Sequence, residues 1–233
     1  MRHLLILLIA ACMLTIYPVP GRSQGSIYTF KGKSFNLPTP TGFCVPDPAN
    51  LGEADFIKVM TTLFANAQNT VVKLAVECGE LERRHADPSS KISDYIAYYY
   101  PDSTEKESLQ GSRESLRKAV CDDMRKQGDA TISDVPAIVA NAARQLHAKM
   151  AVNSTKMLGV LAEDAHGCYA GVLVNATVGA SSSIRNVDIL ATVVHDRVLF
   201  VSLYSSYKNP SESKKSLLLE EAIAADLDSK NPD

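Results

Sequence analysis

The hydrophobic and polar positions of residues 50–100 predict one helix and two strands. Apolar residues recur at helical spacing after Asn50, which can cap a helix together with Glu53. Residues 72–78 instead alternate between apolar and polar side chains, as in a half-buried strand. The polar residues that follow, including His85, are interpreted as a loop, and residues 93–100 are predicted to form a second strand.

The second half of the chain is predicted to contain two helices, four strands and a closing helix. Cys121 lies at the edge of an apolar stripe on the first of these helices, and Ser133 is the expected N-cap of the second. The predicted strands are residues 157–163, 168–177, 184–194 and 198–204. Their short connections predict an antiparallel meander, after which Asn209 caps a helix with Pro210 in its first turn.

This order of elements predicts the α+β class, with an antiparallel sheet covered by helices. A doubly wound parallel sheet is excluded because it needs a helix between most of its strands.

Near the N-terminus, the apolar residues of the segment 28–37 lie on both sides of a Lys-Gly-Lys turn and predict a small hairpin. The prolines at positions 38, 40, 46 and 48 then predict a connector without regular structure.

The last predicted hairpin, which starts at His195-Asp-Arg and leads into the proline-capped helix, resembles the closing unit of the PsbP/Mog1-like α/β/α sandwich. The resemblance covers roughly the last third of the chain and concerns the order of elements. It implies that sandwich fold and no particular function, because one fold hosts many activities. In overall character the chain also resembles uncharacterised exported proteobacterial proteins.

The first 25 residues are predicted to be a removable signal peptide. A short basic start precedes an uncharged apolar run that ends at Val19, and the small residues Ser23 and Gly25 precede the expected cleavage site before Ser26. The apolar run of roughly 16 residues is shorter than the roughly 20 needed to cross a bilayer as a helix. No second long apolar run follows, so we predict no transmembrane segment in the mature chain.

The mature chain is predicted to be a single α+β domain, residues 26–233, that is periplasmic or secreted. Processing would remove Arg2 and Arg22 from the 24 basic residues and none of the 26 acidic ones, which leaves a formal charge of −4. This charge argues against nucleic acid as a partner, because nucleic-acid binding needs a basic surface. The alternatives to cleavage after Gly25 are an earlier cut after Gly21 and a lipid anchor on Cys12, the last residue of an Ile-Ala-Ala-Cys sequence.

Four cysteines remain after this cleavage: Cys44, Cys78, Cys121 and Cys168. An even number in a chain bound for an oxidising compartment predicts two disulfides. Of the three possible pairings, we favour Cys44 with Cys78 and Cys121 with Cys168, because each links nearer neighbours and crosses an element boundary. Buried free thiols are the alternative.

The chain lacks the common catalytic motifs, including Gly-x-Ser-x-Gly, His-Glu-x-x-His and Cys-x-x-Cys. Their absence favours a non-enzymatic binding or accessory domain whose partner is an unknown protein or small molecule, and we predict no cofactor.

The candidate ligand-binding residues are three consecutive tyrosines, Tyr98, Tyr99 and Tyr100. Strand alternation places Tyr98 and Tyr100 on one face and Tyr99 on the other, and we expect an exposed tyrosine in this segment. Ordinary sheet packing is the alternative.

The alternative function is a metal-binding protein or a metal-dependent enzyme. In a meander the first and third connections lie at the same end of the sheet, about two strand spacings or roughly 10 Å apart. His166 and His195 would then converge, with Asp164 and Asp196 as further ligands and Glu163 nearby. The opposing interpretation is that these are ordinary turn residues.

Overall fold

A computed structural model describes residues 26–30, 33–103 and 110–232. The predicted signal peptide and Cys12 lie outside these ranges. The strands are β1 (Ser26–Phe30), β2 (Lys33–Leu37), β3 (Phe43–Cys44), β4 (Asn69–Glu77), β5 (Tyr95–Pro101), β6 (Met150–Glu163), β7 (Cys168–Val178), β8 (Ser181–Val194) and β9 (Arg197–Ser206). The helices are α1 (Leu51–Asn66), α2 (Cys78–Ala86), α3 (Arg113–Ser133), α4 (Val135–Leu146) and α5 (Pro210–Lys230).

Seven of the strands form one antiparallel sheet in the order β3-β4-β5-β9-β8-β7-β6. The α+β class and the four-strand meander, β6 to β9, are confirmed. Because β9 pairs with β5, the meander continues the sheet of the N-terminal strands. The predicted hairpin, β1 and β2, forms a separate two-stranded sheet.

Helices cover both faces of the seven-stranded sheet. On one face, called here the α5 face, α5 packs against β8 and β9, and the hairpin lies beside it. Buried side chains on this face include Tyr98, Tyr169, Leu190, Ile223 and Leu227. On the opposite face, α1 and α2 cover β4 and β5, while α3 covers β6, β7 and β8. No helix in the described part of the chain is both long and apolar enough to span a membrane.

Helix α2 corrects the interpretation of the residues after Cys78 as a loop. Glu77 caps this helix, since its carboxylate accepts hydrogen bonds from the backbone N–H of Gly79 at 3.1 Å and of Glu80 at 2.7 Å. Leu81 is the one residue of α2 that is buried. A single buried apolar residue produces no repeating pattern, so periodicity does not reveal the helix.

Two element boundaries also differ from the predicted ones. Ser133 ends α3 instead of capping α4, and Asp134 takes the cap position without a side-chain cap hydrogen bond. Strand β6 begins at Met150 rather than at residue 157, and its pairing with β7 has three register irregularities that blur the alternation. The predicted cap of α1 is confirmed, because Asn50 accepts from the backbone N–H of Glu53 at 3.2 Å.

Candidate functional site

The four cysteines form the two disulfides that the sequence favoured, Cys44–Cys78 and Cys121–Cys168. The first joins β3 to the start of α2, and the second joins α3 to β7. Cys121 and Cys168 are fully buried, whereas Cys44 and Cys78 are partly exposed. Both bonds restrict the unfolded chain, so the fold is stabilised by disulfides.

The three candidate tyrosines alternate across β5 as predicted, but none of them is exposed. Tyr98 is fully buried on the α5 face, where its hydroxyl donates to the Pro38 carbonyl at 2.8 Å. The Tyr99 hydroxyl lies 3.0 Å from Ser202 Oγ, and burial raises the pKa of Tyr99 to about 12. The expectation of an exposed tyrosine is therefore wrong, since Tyr100 is also partly buried.

Tyr100 lines a narrow apolar cleft between the hairpin and the α5 face of the sheet. The cavity volume is about 20 Å³, which is room for about one water molecule. Its lining consists of Tyr28, Phe35, Leu37, Val72, Tyr100, Arg197, Val198 and Leu199. Apart from Arg197, every lining side chain is aliphatic or aromatic, so the lining favours contact with apolar groups.

Charged side chains meet where Arg197 joins the cleft. Lys33 Nζ lies 2.8 Å from Asp196 Oδ1, and Arg197 Nε lies 3.7 Å from the same oxygen. The neighbouring His195 packs its ring edge-on against Phe35, with 5.4 Å between the ring centroids. Two cationic side chains, Lys33 and Arg197, therefore lie beside Asp196 at this end of the cleft.

A buried lysine holds the chain segment that leaves the cleft. Lys73 Nζ donates to the carbonyl oxygens of Leu37 at 2.6 Å and Pro38 at 3.1 Å. Burial, and to a lesser extent the charge of Lys230, lower the pKa of Lys73 to about 8. These hydrogen bonds fix the start of the proline-containing connector against β4.

The candidate metal ligands lie in two turns at the same end of the sheet, as predicted. Cys168, which follows the turn of His166, pairs with Ala191, whereas β8 continues to Val194 before the turn of His195. The second turn is thereby displaced by roughly 10 Å along the strand direction. Within the described ranges, no group of three or more His, Cys, Asp or Glu side chains is arranged to hold a metal ion. The metal site stays a prediction.

Each candidate ligand has a local partner. Asp164 Oδ1 accepts from the backbone N–H groups of His166 at 2.7 Å and Gly167 at 2.9 Å, and its Oδ2 accepts from the Tyr169 hydroxyl at 3.0 Å. Asp164 therefore shapes the turn. Asp196 contacts Lys33 and Arg197, as described above.

His166 belongs to a charged network that sequence reasoning missed. Its Nδ1 lies 2.8 Å from Asp228 Oδ2, and both oxygens of Asp228 accept from Arg117 Nη2 at 2.6 and 2.7 Å. Arg113 Nη1 approaches the same carboxylate at 3.4 Å. These residues come from α3, α5 and the β6–β7 turn, and no local sequence pattern connects them. A carboxylate on one ring nitrogen orients the imidazole so that the other nitrogen can exchange a proton or bind a metal.

No protein-family model matches the chain, and no curated protein shows significant similarity to it. Function is therefore inferred from the geometry of two places, the apolar cleft at Tyr100 and the turn at His166.

Proposed function

We propose that this protein is an exported, non-enzymatic binding domain that takes a small apolar molecule with an anionic group in the cleft at Tyr100. The observation that carries this proposal is the lining of the cleft, in which Arg197 is the one charged side chain among apolar ones. Small-molecule sites commonly combine apolar walls with a few placed polar groups. The two disulfides support export, because such bonds persist in oxidising compartments.

The hairpin β1–β2 is the wall that would have to yield to a ligand, because the cleft is narrow in this structure. It is a sheet of its own, and polar contacts hold it at its ends. Asn36 N–H donates to Asn231 Oδ1 at 2.7 Å, Asn231 Nδ2 donates to the Asn36 carbonyl at 3.0 Å, and Lys33 pairs with Asp196. A ligand that replaces the apolar packing of Phe35 and Leu37 would stabilise a shifted hairpin.

Binding of a medium-chain fatty acid tests the proposal, with the matching alcohol as the uncharged comparison. Val72→Trp fills the cleft, and Leu51→Trp is the matched control because Leu51 is 85% exposed on α1. The chain has no tryptophan of its own, so each variant carries a single one. We expect the wild type and Leu51→Trp to bind the acid, and Val72→Trp to bind at least about tenfold more weakly.

The variant Arg197→Gln tests whether the anionic group of the ligand contributes to binding in addition to its apolar part. It should weaken binding of the acid and leave binding of the alcohol unchanged, because only the acid carries a charge for the guanidinium. Absence of acid binding by the wild type, or equal weakening in both tryptophan variants, would contradict the proposal.

The processing steps and the fold family belong to the same proposal. A mass that begins at Ser26 in protein purified from the exported fraction would support signal cleavage, and a lipid-modified Cys12 would support the anchored alternative. The likeness to the PsbP/Mog1-like sandwich concerns fold alone and names no ligand.

Metal binding is the second candidate function, and the contact between His166 Nδ1 and Asp228 Oδ2 favours it. Histidine ligands of metals commonly have their other ring nitrogen held by a carboxylate in this way. Elemental analysis of the purified protein, followed by zinc titration, tests it. Metal content that drops in the variant His166→Ala with His195→Ala would support this function, and unchanged content would refute it.

A further inference from the structure

The two disulfides lie in different surroundings. Cys44 and Cys78 line an open groove of about 230 Å³ together with Glu53, Leu81, Glu82 and His85. These two cysteines are partly exposed and border a space that a small thiol can enter. Cys121 and Cys168 are fully buried between α3 and the sheet, so an external thiol reaches them only when the structure opens.

The groove has an acidic lining. Glu53 is almost completely buried, and its Oε2 accepts from the backbone N–H of Asp47 at 2.7 Å while its Oε1 lies 3.1 Å from His85 Nδ1. Glu82 is exposed at the same groove. Arg84 is directed elsewhere, since it donates to the carbonyls of Gly52 and Ser90. The formally charged side chains that line the groove are therefore carboxylates, which repel an approaching anion.

We propose that Cys44–Cys78 is an exchangeable disulfide that reacts selectively with external thiols carrying no negative charge, and most readily with cationic ones. The thiolate of the external thiol attacks one sulfur of the bond and forms a mixed disulfide. The other cysteine leaves as a thiolate and takes a proton from water. A second external thiol then resolves the mixed disulfide, so that two thiols supply two electrons and are released as one oxidised disulfide.

Reduction of this bond would release the edge of the sheet at β3. That strand has two residues, which pair as Phe43 with Glu77 and Cys44 with Val76. Beyond this pairing, Cys78 N–H donates to the Gly42 carbonyl at 2.9 Å. The part of the connector around Cys44 is held by these few contacts and the disulfide, whereas its start stays bonded to Lys73 and Tyr98. Exchange at Cys44–Cys78 would therefore loosen the part around Cys44 while Cys121–Cys168 keeps the other side of the fold closed. This inference does not depend on the ligand cleft.

The test compares the native protein's reaction with cysteamine and with 2-mercaptoethanesulfonate at equal thiolate concentrations and low ionic strength. Free cysteines are alkylated at successive times and assigned by peptide mass, and each rate is divided by that of the same thiol with a small uncharged disulfide. We expect Cys44 and Cys78 to be alkylated well before Cys121 and Cys168. The normalised rate with cysteamine should exceed that with the sulfonate by about fivefold, and high salt should reduce the difference.

Glu82→Gln should reduce this ratio, whereas Glu114→Gln, which removes the same charge from an exposed position on α3, should leave it unchanged. Simultaneous alkylation of all four cysteines would overturn the proposal, because it would mean that reaction requires general unfolding. Equal normalised rates for the two thiols, or no reaction of Cys44 and Cys78 in the folded protein, would overturn it as well.

Discussion

Asp228 Oδ2 lies 2.8 Å from His166 Nδ1, so a residue near the end of α5 holds the turn between β6 and β7. The same carboxylate pairs with Arg117 and Arg113 of α3. Arg117 also donates to the carbonyl of Ala165 in that turn. One acidic side chain thus connects three parts of the structure that are far apart in the sequence.

Replacing Asp228 should destabilise the fold by about 2 kcal/mol. Asp228→Asn removes the carboxylate from Arg117, whose side chain is 12% exposed, and a partly buried charge that loses its counter-ion is costly. Urea denaturation measures the change. Asp226→Asn is the control, because Asp226 forms a more exposed pair with Lys230 and its loss should cost less than about 0.5 kcal/mol. Equal effects of the two substitutions would contradict a special role of Asp228.

The free energy of unfolding should increase as the pH rises from 8 to 10, because of Lys73. Its pKa is lowered to about 8 from 10.5, so the unfolded chain binds more protons than the folded chain in this range, and stability increases with pH by about 2 kcal/mol. Lys73→Met should remove the increase. Lys58→Met, at an exposed position of α1, should retain it. Denaturation at several pH values measures the slope, and a slope that persists in Lys73→Met would exclude this origin.

Two buried acids, Asp188 of β8 and Glu220 of α5, should make the free energy of unfolding decrease as the pH rises. Both are fully buried; burial raises the pKa of Asp188 to about 6, and burial together with the Asp188 charge raises the pKa of Glu220 well above its usual value. The folded chain therefore binds more protons than the unfolded chain, and the contribution of this pair falls as the pH rises from about 4 through 6. For Asp188 alone the loss is about 3 kcal/mol.

Asp188→Asn and Glu220→Gln should each flatten this pH dependence, because the amide has no charged form to bury. Glu221→Gln, one residue further along α5 and only partly buried, should keep the wild-type dependence. The measurement is the free energy of unfolding between pH 4 and 8. Parallel curves for the wild type and Asp188→Asn would show that the buried pair is not the source.

The predicted elements that proved correct are those with a repeating local signal. The meander has four strand segments separated by short turns, and the caps of α1 and α5 depend on Asn50 and Asn209 next to their own helices. Helix α2 lacked such a signal, since Leu81 is its one buried residue. Proximity in the sequence predicted the correct disulfide pairs, because each bond joins cysteines that are close in the sequence, 34 and 47 residues apart.

The sequence by itself determined the α+β class, the strand order within the meander and the faces of Tyr98, Tyr99 and Tyr100, because period and turn chemistry act over a few residues. Only the tertiary structure decided that the hairpin closes a cleft over Tyr100, that Asp228 reaches His166 and that Cys44–Cys78 borders an open groove. These relationships join segments from different parts of the chain. They depend on how the helices and the hairpin pack on the sheet, and the spacing of residues along the sequence does not predict that packing.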